Sequence, residues 1–359
     1  MIEDPLRYAD VDPNGSILIG NSIVCDGYVE GKTNAVFTHI HSDHVQYFRK
    51  TLGLCDKVIT SKPTYYLLKA LFGDTYALHQ NWERIDFNES FFTDYGEKIT
   101  LYQANHILGS SQILVETNDD VKILYSGDFN FPGITVPQCD ILVLDSTHGN
   151  PRFDSVTDKK SVLNNVWSLV YEEIRKSKPV VIKAHRGIMQ FIMNLLEQER
   201  DGNRINNYVK FLCSETDKRI AESCSIFNMP IRPLIHFKQN PEAHRILHGS
   251  KPYIQFVTPG TDTWEQEEKG IRILKIDSNI NFENTAAIMD DSAKNRFIIN
   301  LSSHASFSNI LKYVRATNAK YVITDNSFRT KHGDTLASII HNELGIKTIA
   351  RPEKIQIDT

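Results

Sequence analysis

Four side chains that can bind a metal ion stand within six residues of one another near the start of the chain. They are His39, His41, Asp43 and His44, in the run Thr-His-Ile-His-Ser-Asp-His. Residues two apart on an extended segment share a face, so His39 and His41 can bind one ion together. Asp43 and His44 lie further along and point elsewhere, which predicts a second ion beside the first. Two ions held close together are typical of hydrolytic sites.

Two further residues of metal-binding type follow runs that predict strands. His106 lies in Asn-His-Ile-Leu-Gly-Ser-Ser, and Asp128 lies in Tyr-Ser-Gly-Asp-Phe-Asn. Loops after strands place functional side chains on a rigid scaffold, and Gly109 and Gly127 allow the backbone to approach closely. A carboxylate such as Asp128 can bridge two ions about 3.5–4 Å apart, the separation at which they activate a shared water molecule.

The elements that must position these residues change in type along the chain. Short runs rich in β-branched and apolar residues, punctuated by Gly, Asn and Asp, predict strands over 15–145. Pro63 near its start favours a helix over 62–72. From 158 onward, helical and strand patterns alternate, which predicts a parallel α/β layer. The predicted helices are 159–176, 187–199, 216–227, 306–316 and 334–344, and the predicted strands are 179–183, 208–213, 253–257, 271–276, 296–301, 320–324 and 346–350.

The composition is that of an ordinary globular protein. The chain has 359 residues, 41% hydrophobic and 23% charged, with a net charge of −4. The chain lacks the overall positive charge that would indicate a nucleic-acid partner. A local basic groove would not be visible in the net charge. The five scattered cysteines include no C-x-x-C pair, which predicts reduced thiols. Without a signal peptide or an apolar run of about 20 residues, we expect a cytoplasmic protein with no membrane contact.

The metal-type residues resemble a known superfamily when they are read together. His39-x-His41-x-Asp43-His44, then His106, then Asp128, is similar to the pattern of the metallo-β-lactamases. Three later motifs resemble those of the β-CASP nucleases within that superfamily, and the resemblance covers roughly residues 15–350. These motifs are Asp-Ser-Thr-His-Gly-Asn-Pro from Asp145, Lys-Ala-His-Arg-Gly-Ile-Met-Gln from Lys183, and Ser-Ser-His-Ala-Ser-Phe from Ser302.

The resemblance implies an α/β fold, namely a metallo-β-lactamase αββα sandwich with an inserted α/β β-CASP cap. We expect residues 1–155 to form the first part of the core. The cap would then occupy 156–255, and 256–359 would complete the core.

The resemblance also implies a centre with two zinc ions per chain, with Mn²⁺ or another divalent ion as the alternative. Neutral imidazoles and carboxylates are suitable zinc ligands. Their expected division is His39, His41 and His106 on one ion, Asp43 and His44 on the other, and Asp128 as the bridge.

Catalytic roles are implied for Asp43, Asp145 and His304. Water activated between the two ions would attack phosphorus. His304, oriented by Asp145, would protonate the leaving oxygen or stabilise the developing charge, a role that suits a carboxylate–histidine pair. The groups expected to hold a neighbouring phosphate belong to Gly109, Ser110 and Ser111.

The second zinc site departs from the family pattern at one ligand. RNA-processing members carry a Val-His-Gly segment where this chain reads Val-Ile-Thr-Asp-Asn. Asp325 can take the place of that histidine because carboxylate oxygen binds zinc well. His332, seven residues later, is the alternative.

We therefore expect a two-zinc phosphodiesterase that hydrolyses nucleic acid, an exonuclease acting on DNA in repair or processing. The run that begins at Asp145 favours the DNA branch, while Gly-Ser-Ser after His106 favours the RNA branch. An RNA-processing ribonuclease, exo or endo, is thus the alternative. A small-molecule hydrolase of the same core is less favoured because a small substrate needs no long groove. A metal-free subunit is disfavoured because every early ligand is present. The oligomeric state stays open.

Overall fold

The computed structural model describes residues 2–154, 159–201, 205, 208–232, 234–238, 240–277, 287–291, 293–327 and 331–353. The strands are β1 (Ala9–Val11), β2 (Ile17–Ile19), β3 (Ile23–Cys25), β4 (Asn34–Phe37), β5 (Lys57–Ser61), β6 (Trp82–Ile85), β7 (Ser90–Phe92), β8 (Lys98–Gln103), β9 (Ser111–Glu116), β10 (Lys122–Tyr125), β11 (Ile141–Leu144), β12 (Val180–Lys183), β13 (Lys210–Cys213), β14 (Ile235–His236), β15 (Tyr253–Val257), β16 (Arg272–Asp277), β17 (Ala287–Asp291), β18 (Arg296–Asn300), β19 (Tyr321–Asp325) and β20 (Lys347–Arg351).

The α-helices are α1 (Phe48–Leu54), α2 (Lys62–Phe72), α3 (Lys159–Arg175), α4 (Ile188–Asp201), α5 (Glu215–Ile226), α6 (Pro241–Leu247), α7 (Trp264–Glu268), α8 (Phe307–Thr317) and α9 (Gly333–Ile339). Short 3₁₀ turns lie at Pro5–Arg7, Asp74–Leu78 and Pro151–Phe153, and a π-helical turn, Ile340–Leu344, follows α9.

The chain divides into two compact units. The first unit is Met1–Asp154 with Ser303–Thr359, and the second unit is Ser155–Ser302. The first unit holds two sheets, with strand orders β1-β2-β3-β4-β5-β6 and β20-β19-β11-β10-β9-β8-β7. In the first sheet, β3 to β6 run parallel to one another. In the other, β10, β11, β19 and β20 run parallel.

The two sheets of the first unit pack face to face, with helices outside. Buried residues of both sheets form one cluster, which includes Ile17, Ile59, Ile123 and Ile323. The outer face of the second sheet packs against α8 and α9 through a separate cluster. On the other side, the Phe48 ring of α1 contacts Phe37 of β4, with ring centroids 5.5 Å apart. This order of layers confirms the expected αββα sandwich.

The second unit is a largely parallel sheet in the order β14-β13-β15-β12-β16-β18-β17. Its end differs from the expected cap boundary at 255, because the core resumes at Ser303. The physical reason is strand pairing: β16 adds in parallel to β12, and β18 adds to β16, so strands expected to rejoin the core complete this sheet instead. The expected boundary at 155/156 falls on residues 155–158, which lie outside the described residues.

Most predicted elements are confirmed to within a residue or two. The helix expected over 62–72 is α2, whose first turn is capped by Ser61 Oγ, 3.2 Å from the Thr64 N–H that donates to it. The predicted strands 320–324 and 346–350 are β19 and β20. All five cysteines are buried and unpaired, as expected. Within the part of the chain described here, no helix combines the length and apolar character needed to cross a membrane.

Candidate metal centre and nuclease site

Strand ends position the candidate site residues in the first unit. The parallel strands β10, β11 and β19 end side by side, and β3 and β4 end together in the other sheet. Loops that leave these ends bring their side chains close together. The residues follow in this order: Asp26 after β3, His39 to His44 after β4, His106 after β8, Asp128 after β10, Asp145 after β11, and Asp325 at the end of β19.

Three histidines and Asp128 form a compact group of metal donors. His41 Nδ1 lies 3.0 Å from His39 Nε2 and 3.1 Å from His106 Nε2. Asp128 Oδ2 lies 3.6 Å from each of those Nε2 atoms. All four donor atoms lie within 4.8 Å of one another. Tetrahedral zinc with bonds of about 2.0–2.1 Å requires donors separated by about 3.3 Å, so this group matches one ion.

Hydrogen bonds at the far ring nitrogens fix which nitrogen of His39 and His106 faces the group. His106 Nδ1 lies 3.2 Å from the Ser303 carbonyl oxygen, which only accepts, so Nδ1 carries the hydrogen. Thr38 Oγ1 donates to Asp26 Oδ2 at 2.6 Å and therefore accepts from His39 Nδ1 at 3.0 Å. Both rings consequently direct an unprotonated Nε2 toward the group, the arrangement that outer partners impose on metal-binding histidines.

Asp128 has one oxygen on each side of the site. Its Oδ1 is buried and accepts no hydrogen bond from the described residues, an arrangement that is costly without a cation. His44 Nε2 lies 3.4 Å from that Oδ1, and Asp43 Oδ2 lies 3.7 Å from His44 Nε2. The donor set thus fits one metal ion at the three histidines, with Asp128 able to bridge toward His44. Gly127 precedes it with φ +51°, and a Cβ there would lie 2.6 Å from the Ser111 carbonyl oxygen.

Asp26 orders both halves of this centre, and our sequence reasoning missed it. Its carboxylate accepts from the Thr38 N–H at 2.7 Å and from His44 Nδ1 at 2.7 Å. The Tyr125 hydroxyl donates to the same carboxylate at 3.1 Å. Asp26 is 4% exposed. Its sequence context, Cys-Asp-Gly after a short strand, resembles any turn, so no local pattern distinguishes it.

The structure brings Asp145 and His304 together, the two residues for which their motifs predict an acid–base role. Asp145 Oδ2 lies 3.1 Å from His304 Nδ1, and His304 Nε2 lies 3.8 Å from Asp128 Oδ2. The backbone N–H and the hydroxyl of Thr147 also donate to Asp145 Oδ1, at 3.0 and 2.7 Å. The structure therefore holds His304 with Nδ1 on Asp145 and Nε2 beside the metal group.

Burial and neighbouring charges set the protonation of these histidines. Burial, together with adjacent imidazoles, lowers the pKa of His39 and of His106 well below 6.5, and neutral imidazole is the form that binds metal. Burial also lowers the pKa of His304, but the carboxylates of Asp128 and Asp145 outweigh it and raise that pKa above 6.5. His304 therefore holds a proton more tightly than a free imidazole does.

Lys331 lies among the carboxylates of the site, a position that the sequence did not predict. Its Nζ lies 2.9 Å from Asp145 Oδ1, 3.3 Å from Asp325 Oδ2 and 3.8 Å from Asp128 Oδ1. The alternative ligand His332 lies elsewhere, with its Nε2 3.3 Å from an Arg152 nitrogen. Asp325 thus lies near the metal group, paired with Lys331. Its role as a ligand stays a prediction.

The residues expected to hold phosphate lie in buried positions. The Gly109 carbonyl accepts from the hydroxyls of Ser61, Thr64 and Ser111 at 2.7, 2.8 and 3.1 Å. Ser110 Oγ accepts from the His106 N–H at 3.0 Å. These contacts shape the loop that carries His106, and the predicted phosphate contact remains a prediction.

Comparison with known proteins yields several relatives, although a scan against models of protein families gives no match. The chain is 23% identical over 334 residues to a "Probable DNA ligase" of Opitutus terrae, covering 89% of this chain and 29% of that protein. It is 34% identical over 108 residues to an "Uncharacterized protein in lig 3'region" of Acidianus ambivalens, covering 28% of this chain and 73% of that protein. It is 27% identical over 199 residues to an "RNase J-like protein" of Methanocaldococcus jannaschii, covering 49% and 44%.

Two further relatives match about half of the chain or less. A "DNA cross-link repair protein SNM1" of Arabidopsis thaliana is 26% identical, covering 44% of this chain and 32% of that protein. An "Endoribonuclease YSH1" of Mycosarcoma maydis is 26% identical, covering 45% and 22%. Except for the Acidianus ambivalens protein, the chain spans less than half the length of each relative.

One solved structure supports the fold alone. It is a protein of unknown function from Enterococcus faecalis V583, with a TM-score of 0.54 and 12% identity, covering 81% of this chain and 74% of that one. The layers and this likeness define a metallo-β-lactamase fold. The sequence relatives and the site motifs confirm the resemblance to the β-CASP nucleases of that superfamily.

Proposed function

We propose that this protein is a metal-dependent phosphodiesterase that hydrolyses nucleic acid, and that it acts as an exonuclease on DNA. One observation carries the proposal. The compact group of His39, His41, His106 and Asp128 lies beside a carboxylate–histidine pair, with His304 Nε2 3.8 Å from Asp128 Oδ2. A metal group and a proton donor at that separation suit hydrolysis of a phosphodiester, in which one oxygen attacks and another leaves.

The ion and the protein have separate roles in the proposed reaction. When bound, a divalent ion supplies Lewis acidity that polarises the phosphoryl group and acidifies water. The histidine-rich donor set favours zinc, with Mn²⁺ as the alternative. His304 donates the proton from Nε2 to the leaving oxygen. Asp145 keeps the Nδ1 hydrogen in place and stabilises the positive ring, since its Oδ2 lies 3.1 Å from Nδ1.

The relatives favour DNA as the substrate. The Opitutus terrae relative, which aligns over 89% of this chain, is named a probable DNA ligase, and the Arabidopsis thaliana relative is named a DNA cross-link repair protein. The Acidianus ambivalens relative is named for its place in a lig 3' region. A nuclease that prepares DNA ends for joining accounts for all three names.

RNA processing is the alternative. The Methanocaldococcus jannaschii relative is named RNase J-like and the Mycosarcoma maydis relative is named an endoribonuclease. Both align over less than half of this chain. We also propose that the second unit, Ser155–Ser302, is the cap of the family. The five unpaired cysteines support a reducing, cytoplasmic compartment.

DNA and RNA strands of matched sequence test the substrate. Each is labelled at the 5′ end in one preparation and at the 3′ end in another, and is incubated with zinc- or manganese-loaded protein, with and without chelator. We expect loss of label from DNA faster than from RNA, abolished by chelator. Faster cleavage of RNA would establish the alternative. No metal-dependent cleavage of any strand, single or double, would exclude a nuclease.

A circular single strand separates the two modes of cleavage, because it has no end. An exonuclease leaves the circle intact while it degrades the linear strand of the same sequence, whereas an endonuclease linearises it. Which labelled end is released first gives the direction of digestion. A His304→Ala preparation controls for contaminating nuclease, and His341→Ala, at an exposed position, controls for the substitution.

A further inference from the structure

A buried lysine lies at the centre of the carboxylates in the first unit. Lys331 is 5% exposed, and its Nζ contacts oxygens of three aspartates: 2.9 Å to Asp145, 3.3 Å to Asp325 and 3.8 Å to Asp128. Lysine is among the residues least often fully buried, unless it is paired. With three carboxylates around its ammonium, Lys331 occupies a buried cation site and is not a solvated surface charge.

Asp325 is fully engaged by this arrangement. Its Oδ1 accepts from the Ser327 N–H at 2.9 Å and from the Ser327 hydroxyl at 2.6 Å. Its Oδ2 faces Lys331 Nζ at 3.3 Å. Asp325 thus stands where the sequence led us to expect a ligand of the second ion, yet its oxygens serve Lys331 and the local turn. Asp325 is therefore not available as the last ligand of a second ion.

Lys331 also disfavours a second ion through its charge. A divalent ion bound to Asp128 Oδ1 at the usual distance of about 2.0–2.2 Å would lie within about 6 Å of the ammonium, since Nζ is 3.8 Å from that oxygen. At so short a distance in a buried site, the ion and the ammonium would repel each other strongly. Beside Asp128 Oδ1 on the side of His44, the remaining donors come from Asp43 and His44, and the Asp43 side chain is 46% exposed.

We propose that the Lys331 ammonium takes the place of the second metal ion, so that the centre holds one ion tightly. This rests on the proposed function, because it assigns a role at the same site. That ion binds the three histidines and Asp128. Lys331 is a positioning residue: it neutralises Asp145 and Asp128 and holds Asp145 against His304. The positive charge of Lys331, which is covalently part of the chain, replaces that of an exchangeable ion. Asp145 and His304 therefore stay in place without a second ion.

Metal counting tests the proposal directly. Wild-type protein stripped with chelator is titrated with Zn²⁺, and separately with Mn²⁺, and bound metal is measured after gel filtration. We expect one equivalent in the wild type. In Lys331→Ala the three carboxylates lose their cation, and we expect a second equivalent to bind. Lys312→Ala, at an exposed position, is the matched control and should retain one equivalent.

Two tight equivalents in the wild type, or one equivalent in both wild type and Lys331→Ala, would overturn the proposal. If Lys331→Ala does not fold, Lys331→Arg keeps the charge and should still bind one equivalent, so a second equivalent in that variant would count against it. Two tight equivalents in the wild type overturn the proposal even if no variant folds.

A rescue experiment separates a positioning role from a merely structural one. We expect Lys331→Ala to lose at least about tenfold in kcat, the effect typical of losing an outer partner of a metal site. Excess Mn²⁺ should restore much of that loss, because a second ion then supplies the missing charge, while the wild type gains nothing. Loss of kcat without rescue would contradict replacement of an ion by Lys331.

Failure of this proposal is distinguishable from failure of the proposed function. A wild type with one ion that cleaves neither DNA nor RNA would contradict the nuclease proposal and leave the role of Lys331 intact. A wild type that cleaves nucleic acid with two tight ions would do the reverse.

Discussion

Asp26 positions two histidines of the candidate metal centre, His39 and His44, through one carboxylate. It contacts His44 Nδ1 directly at 2.7 Å and reaches His39 through the hydroxyl of Thr38. Each contact places a hydrogen on Nδ1 and directs Nε2 at the metal position, and the lowered pKa of His39 leaves its Nε2 unprotonated. Outer partners of this kind set the basicity and the orientation of metal-binding imidazoles.

We therefore predict that Asp26→Asn weakens metal binding. An amide has one acceptor oxygen, whereas Asp26 accepts from four groups of its neighbours, so at least one donor would face an NH₂ group. Affinity for Zn²⁺, measured by competition with a chromophoric chelator, should fall about 10–100-fold. Asp120→Asn, in an exposed turn, should leave it unchanged. An unchanged affinity in Asp26→Asn would show that the imidazoles hold their orientation without Asp26.

His304 is predicted to move a proton without holding the metal. It pairs with Asp145 through Nδ1 and lies outside the compact group formed by the three other histidines and Asp128. His304→Gln should therefore retain the metal content of the wild type and lose about 10²–10⁴-fold in turnover, the range for removal of a general acid. His341→Gln is the matched control. Loss of metal from His304→Gln would make His304 a ligand, since its nitrogen, Asp128 and Asp145 also lie within 4.8 Å of one another.

At the scale of elements, the ends of parallel strands explain why part of the site is predictable from sequence. His39, His106 and Asp128 each follow a run whose apolar pattern marks a strand, so residue type and position in the chain are both informative. Asp26 and Lys331 carry no such local mark. Lys331 meets Asp145 across 186 positions of the chain, and only the packing of loops at the sheet edge brings the two together.

Asp140 ties three of those parallel strands together at their start, and its charge should contribute to stability. Lys320 Nζ donates to Oδ1 at 2.6 Å and the Lys122 N–H donates to Oδ2 at 3.0 Å. Burial raises the pKa of Asp140, but these two donors outweigh it and the pKa lies below 3.8. A carboxyl with a lowered folded-state pKa stabilises the fold above its unfolded pKa, and that contribution is lost as the pH falls below about 3.8.

Asp140→Asn should consequently lower stability more at pH 7 than at pH 3. The pair with Lys320 is partly exposed, which limits the effect to about 1 kcal/mol, or a Tm decrease of about 2–4 °C. Calorimetric scans of both proteins at pH 7, 5 and 3 measure it, and the difference in Tm should shrink over the last step. A difference that stays constant down to pH 3 would assign the effect to lost packing rather than to charge.

At the scale of the whole molecule, the end of the second unit has no local mark in the sequence. The change from short strands to alternating helices and strands is visible near 158. At the other end, β16 and β18 have the same apolar character as strands of the first unit, and only their pairing partners distinguish them. Strand pairing is long-range information, so the return to the first unit at Ser303 is a property of the folded sheet rather than of any local pattern.

The ion should also stabilise the first unit as a whole, because its donors come from both sheets. His39 and His41 follow β4 in one sheet, while His106 and Asp128 follow β8 and β10 in the other. An ion that binds only the folded chain adds RT ln(1 + [L]/Kd), about 2.7 kcal/mol at 100 times Kd. We predict that Zn²⁺ raises the Tm of chelator-stripped protein by about 5–10 °C.

Thermal scans across a range of free Zn²⁺ measure this increase, which should grow with the logarithm of the ion concentration above Kd. Mg²⁺, which prefers oxygen ligands, should produce little change at the same concentration. His106→Ala removes one donor and should flatten the dependence on zinc. If wild type and His106→Ala respond alike to Zn²⁺, the ion that stabilises the protein binds elsewhere, and the three-histidine group is not its site.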